Sequence, residues 1–188
     1  MRIVVELLSE VNNNGEYTGR VLTREETHEQ ELPHPVVHVW IVNEKGEVLL
    51  QKRSPEKSMY AGVLHISAAG HIESGEEPLP SAVREVREEV GLKTKEEEYI
   101  SLGSRKVHQV IPETGKMDRE YVHNFLLFVN SKDLKLTLQK EEVAETTWVS
   151  LDEMERQIND EEAYKKYLNH PKNYYTDTIS KIRKKLEK

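Results

Sequence analysis

Residues 70–92 read GHIESGEEPLPSAVREVREEVGL, with six glutamates in the stretch. Its local conformation is legible from its punctuation. Pro78 and Pro80 are tolerated in an α-helix only within the first turn, where their missing N–H groups have no intrahelical partner. Gly91 suits the position just beyond a helix end, where a left-handed backbone is needed. A helix from about Pro78 to Val90 follows. At 100° per residue, Leu79, Ala82, Val83, Val86 and Val90 fall on one apolar stripe. Glu85, Glu88 and Glu89 are spaced i, i+3 and i+4, which stacks their carboxylates on the adjacent stripe.

That stacking has an electrostatic cost. Two unit charges 4 Å apart repel by about 4 kcal/mol at an effective dielectric near 20. In open water the cost nearly vanishes, so three glutamates alone are more readily read as a solvated helix face. The flanking residues favour another reading. Gly70 stands where a preceding strand ends, so its carbonyl can face the helix. A hard dication such as Mg²⁺ takes carboxylate and carbonyl oxygens and often substrate phosphates as well.

Outward from this segment the chain alternates in the manner of strands. RIVVELLSEV (2–11) and EYTGRVLT (16–23) flank NNNG, a turn sequence with a glycine for positive φ. VVHVWIVN (36–43) and EVLLQKR (47–53) form a second hairpin, and VLHISAA (63–69) leads into the quoted stretch. YISLGSRKVHQV (99–110) and YVHNFLLFVN (121–130) are strands separated by IPETGKMDRE, expected as an exposed loop. ETTWVS (145–150) is a last short strand, LDEMERQI (151–158) a helix. The basic amphipathic tail, with Ile179, Ile182 and Leu186 near one face, is expected to be a terminal helix packed on its own domain.

The totals narrow the function. A chain of 188 residues suits one domain: residues 1–188 as a unit, with 1–30 a hairpin extension and 152–188 a helical segment. No run of about 18 apolar residues exists, so no membrane span is expected. The N-terminus lacks a charged-then-apolar leader layout, and cysteine is absent. Together these suggest a cytoplasmic protein with no thiolate site and no cysteine nucleophile. A net charge of −7 makes a nucleic-acid polymer a poor partner. A small anion remains possible through a local cationic patch or a bound metal. An exposed first hairpin could pair edges across a homodimer.

The quoted stretch resembles the Nudix box, Gly–x5–Glu–x7–Arg–Glu–apolar–x–Glu–Glu–x–Gly–apolar. It agrees at Gly70, Glu76, Arg84, Glu85, Val86, Glu88, Glu89, Gly91 and Leu92. Chance agreement is on the order of one in 10⁹ per starting point. The resemblance implies a mixed β-sheet sandwiched between helices (α/β/α) and a metal-dependent pyrophosphohydrolase acting on a small-molecule diphosphate, often a nucleoside derivative. It also implies that Glu88 and Glu89 bind Mg²⁺ or Mn²⁺ with the Gly70 carbonyl. Glu85 would be a further ligand or the base that activates water. Glu76 would be an occasional or indirect ligand, and Arg84 would hold Glu85 in place. In some members the base lies outside the box, and Glu141 and Glu142 are then the candidates, Glu142 being taken forward beside Glu85.

Residues 18 to 150 further resemble the isopentenyl-diphosphate isomerase branch of that family, through HVWIVNEKGEVLLQKRSPEKSMYAGVLHISAAGHIESGE, TGRVLTREETH and LTLQKEEV. The branch grips its diphosphate with an arginine and a lysine four residues later, matched by Arg53 and Lys57, which could equally be exposed charges after a hairpin strand. His71, beside Gly70, is grouped with them as a substrate-side residue. The isomerase also uses histidine metal ligands, and His34 and His71 lie near comparable positions, with His28 a further possibility. Its cysteine before Gly–His is Ala69 here, which puts isomerase chemistry in doubt. Its tryptophan is missing as well: the stretch is Ala61–Gly62–Val63–Leu64. Trp40 and Trp148 are expected in core or pocket walls, and Tyr174 and Tyr175 could reach the pocket from the tail but are not assigned to it. The alternatives to a hydrolase are a non-catalytic ligand sensor on the same fold and, behind it, the isomerase.

Overall fold

The structure, a computed structural model, describes residues 5–187. Its organising element is β3 (His34–Asn43), buried along its whole length. Strands covered on both faces are apolar on both, which explains the near-continuous run VVHVWIV. The two faces feed different cores. Val36, Trp40 and Val42 pack with the C-terminal helices, whereas Val37, Val39 and Ile41 pack with Ala82, Val86 and Val90. Those three belong to α2 (Pro78–Val90). The sheet therefore lies between helices, as the resemblance implies.

Around β3 the sheet is mixed. β8 (Met117–Val129) runs parallel to it, while β4 (Glu47–Arg53) and β6 (Ala68–His71) are antiparallel. β7 (Tyr99–Val110) pairs with β8 at one edge. β5 (Leu64–His65) and β9 (Val143–Ser150) both pair with β4. A separate hairpin, β1 (Leu7–Val11) with β2 (Tyr17–Thr23), lies beside β3. The strand expected from Arg2 onward has residues 2–4 outside the described region. Among the described residues no helix is long and apolar enough to cross a membrane.

Three elements differ from expectation. The strand VLHISAA is interrupted: Ser67 accepts from the Ile41 N–H (2.7 Å) and donates to the Leu49 carbonyl (2.6 Å), so a side chain replaces ladder bonds between β5 and β6. The loop expected over residues 111–120 is only the turn 111–116, because the ladder continues from Val110↔Met117 to His108↔Arg119. Its strand character was masked by Asp118 and Glu120, polar residues turned into a cleft. A short helix α1 (Arg24–Glu29) follows β2, started by a capping box in which Thr23 and Glu26 satisfy each other's backbone N–H groups.

The C-terminal part comprises α3 (Leu151–Asn159), a single turn α4 (Glu161–Tyr164) and α5 (Lys172–Leu186). The tail does pack on its own domain, through Tyr174, Tyr175, Thr178, Ile179 and Ile182. Leu186, expected on the same face, is exposed instead. Gly91 ends α2 at φ 77°, and a Cβ there would stand 2.7 Å from the Thr137 side chain.

Candidate active site

The C-terminal half of α2, the β6 strand, β8 and the loop after β4 enclose one open cleft. Glu85, Glu88 and Glu89 reach it from α2, and Gly70 reaches it from β6. Gly70 pairs with Val37, and a Cβ on it would fall 2.2 Å from the Glu85 carboxylate. Glycine at this position is thus a steric requirement of the carboxylate beside it.

The three glutamates have different surroundings. Glu89 is 3% exposed and accepts from Gln51 Nε2 (2.9 Å) and the Ala69 N–H (3.0 Å). Burial, reinforced by the neighbouring Glu85, pushes its carboxyl up to about 8. Burial also raises Glu85, against the opposing pull of Arg84. Glu88 is the most exposed of the three. Arg84 ties the group together, bonding Glu76 twice (2.8 and 3.1 Å), Glu85, Glu88 (3.4 Å) and the His71 carbonyl (3.0 Å). Glu76 also accepts from Ser81 and so faces Arg84 rather than the cleft lining.

Arg53 and Lys57 lie in the same cleft. Arg53 donates to the carbonyls of Tyr60 (3.1 Å) and Met59 (3.2 Å), which fixes its guanidinium. Lys57 makes a short ion pair with Glu142, so that carboxylate too reaches the cleft. Glu141 is exposed and is not part of the lining. Trp40 is core, Trp148 half-buried against the α2 side.

Facing the glutamates is a wall of nitrogen donors. His28, His34 and His71 have ring centres 4.9, 5.2 and 5.3 Å apart. Each gives its Nδ1–H to an oxygen: the Arg24 carbonyl (2.7 Å), the Leu32 carbonyl (2.9 Å) and Glu6 (2.7 Å). Their Nε2 lone pairs are left to converge, the arrangement that outer hydrogen bonds impose on metal-binding imidazoles. Asp118 Oδ1 lies 3.7 Å from His28 Nε2 and 3.8 Å from His34 Nε2. Both Asp118 Oδ1 and His34 Nε2 are buried without a hydrogen-bond partner among the described residues. Burial holds His34 neutral, its proton affinity pushed down to about 3. An orphaned carboxylate oxygen beside the orphaned nitrogen of neutral His34 fits a cation. His28 was legible only as a possibility, and Asp118 and Glu120 were missed because they sat in the supposed loop.

The comparisons agree with this architecture. The model of the NUDIX domain matches residues 32–170. The chain belongs to the Nudix family. A Nudix hydrolase of Clostridium acetobutylicum, itself called uncharacterized, is 34% identical over 137 residues, which are 71% of this chain and 65% of that protein's length. An isopentenyl-diphosphate Delta-isomerase of Streptomyces coelicolor is 32% identical over 158 residues, covering 82% of this chain and 76% of the relative. A Deinococcus radiodurans crystal structure superposes with a TM-score of 0.67 at 20% identity, covering 95% of this chain and 98% of the other. At that identity the likeness concerns the fold, and the fold is the Nudix fold.

Proposed function

We propose that this Nudix protein is a metal-dependent pyrophosphohydrolase that cleaves the diphosphate linkage of a small molecule. The observation that supports it most is the buried carboxylate of Glu89 beside Glu85, with no cationic side chain among the described residues bonded to Glu89 itself. Buried carboxylates so close together are costly unless a cation joins them. The oxygen set of Glu85, Glu88, Glu89 and the Gly70 carbonyl suits Mg²⁺ or Mn²⁺. When bound, such an ion neutralises phosphate charge and lowers the pKa of a coordinated water.

The chain's own groups have the following parts in this reading. Glu88, Glu89 and the Gly70 carbonyl hold the cation. Arg53 and Lys57 take non-bridging phosphate oxygens, and His71 borders the substrate. Glu85, oriented by Arg84, accepts a proton from the attacking water, and Glu142 balances Lys57 until substrate arrives. Water oxygen joins one phosphorus, the bridging P–O bond breaks, and two phosphorylated products leave. Glu76 serves by anchoring Arg84. The whole chain acts as one catalytic unit, the first hairpin completing the cleft next to His71.

Isomerisation lacks its means here, since Ala69 offers only a methyl group at the cysteine position and no cysteine exists elsewhere. The test is a panel of nucleoside, nucleotide-sugar and prenyl diphosphates, with Mg²⁺ or Mn²⁺, products being identified by mass. Cleavage of one class that stops with chelator and in Glu88→Gln is the expected result. Tight binding of one compound with no turnover by any metal would replace the hydrolase with a ligand sensor. Rearranged prenyl diphosphate of unchanged mass would restore the isomerase.

A further inference from the structure

Beneath the cleft lies a second group of three histidines: His38 on β3, His65 on β5 and His170 just before α5. All three are at most 3% exposed, and His38 and His65 line the cleft floor. Their ring centres form an equilateral triangle with sides of 5.2 Å. Metal–nitrogen bonds of about 2.0–2.1 Å at tetrahedral angles would set imidazole centres about 5 Å apart. The triangle therefore has the dimensions of a three-histidine metal site.

The protons lead to the same place. Tyr174 donates its hydroxyl hydrogen to Asn124 Oδ1 (2.9 Å), so it must accept from His38 Nδ1 at 2.6 Å. Gln109 uses its amide nitrogen on Asp118 and Glu120, which turns its oxygen toward His170 Nδ1 at 3.1 Å. His38 and His170 are thereby both Nδ1–H tautomers, each presenting an Nε2 lone pair. His65 Nε2 lies 3.1 Å from His170 Nε2 and can give one hydrogen to it. No second hydrogen is available from that ring, and Glu120 Oε2, at 4.0 Å, is too far from His38 Nε2 to hydrogen-bond it. Burial keeps the three rings neutral, so their lone pairs stay free. His65 Nδ1 has no hydrogen-bond partner among the described residues.

We propose that His38, His65 and His170 form a second nitrogen-donor centre that binds a borderline transition-metal dication of the Zn²⁺ kind, with Glu120 available for the fourth position. Imidazole nitrogens select Zn²⁺, Ni²⁺, Cu²⁺ or Fe²⁺ over the hard Mg²⁺ that oxygen donors prefer. The site is separate from the acidic helix and does not depend on the hydrolase reading. It joins β3, β5 and the C-terminal segment, so an ion there would fasten the tail to the sheet under the cleft.

The test uses the full chain, stripped with chelator and then held in excess Mg²⁺ to occupy the oxygen donors. Co²⁺ is titrated with its visible d–d absorption as the readout, and Zn²⁺ content is measured after gel filtration. Wild type is expected to take two imidazole-bound equivalents, one for each histidine group. A His38→Asn/His170→Gln variant should lose one equivalent, and so should His28→Asn/His71→Gln. Retention of the wild-type count in the floor variant, shown to be folded by circular dichroism, overturns the proposal. A wild-type chain that takes no imidazole-bound ion overturns it too, and that measurement needs no variant to fold.

Discussion

The two walls of the cleft are built from different chemistry and were written into the sequence in different ways. One wall is α2 with Gly70, a contiguous block of oxygen donors within 23 residues. The other gathers His28, His34, His71, Asp118 and Glu120 from α1, β3, β6 and β8. A helix brings i, i+3 and i+4 together by its own geometry, so its site is local. A sheet brings residues together by register, so His34 stands opposite Glu120 only because β3 and β8 are parallel and in that alignment. On the proposed function, hydrolysis would depend on the oxygen wall far more than on the nitrogen wall.

The largest effect tests that division. Glu88→Gln or Glu89→Gln should lower turnover by about 10³-fold or more, the several kcal/mol of charge stabilisation carried by a catalytic dication. His28→Asn should leave most of the turnover. Measured kcat values that rank the two walls the other way would undo the comparison. Within the oxygen wall, Glu85→Gln should cost about 10²–10⁴-fold in kcat, the range of a general base. It should also remove the acid limb of the pH–rate profile. Glu142→Gln, which only releases Lys57, should alter KM more than kcat; the reverse pattern would move the base to Glu142.

Stability should run against activity at the same carboxylate. In metal-free protein Glu89 stays protonated in the fold until about pH 8, whereas in the unfolded chain it ionises near 4.5. The unfolded state then binds fewer protons, so stability falls as pH rises between those values. The loss is on the order of a few kcal/mol for a buried group of this kind. His34 and His38 act in the opposite sense: held neutral down to about 3, they oppose folding increasingly as pH drops below 6.5. The chelated chain should therefore melt highest near pH 6, with Tm decreasing toward pH 8. Mg²⁺ should flatten the alkaline side, and Glu89→Gln should flatten it without metal. An alkaline slope unaffected by either would mean that Glu89 is not the group responsible.

How much was readable in advance follows the same division. The bounds of α2, its buried stripe and its Gly91 cap could be read because proline, glycine and apolar period act locally. The resemblance implied a mixed sheet, but the strand order, β3 parallel to β8 with β4 and β6 beside it, was not legible, since pairing is a long-range choice. Asp118 and Glu120 broke the alternating pattern and hid their strand. His65 and His170 are 105 residues apart, and no local pattern connects them. The unexpected α1 had a usable signal in Thr23–x–x–Glu26 that went unread.

Arg53 stands between the two walls and gives the finest test of their separation. Its guanidinium is pinned by two backbone carbonyls, and its charge is felt at Glu89 on one side and at Glu120, His65 and His170 on the other. A group that holds the diphosphate equally before and during reaction changes KM and leaves kcat alone. Lysine keeps the charge and loses the planar fork that engages phosphate oxygens in pairs. Arg53→Lys should accordingly raise KM about five- to tenfold, worth about 1 kcal/mol, with kcat nearly unchanged. A fall in kcat instead would mean that Arg53 acts on the transition state, and the walls would then be one electrostatic unit rather than two.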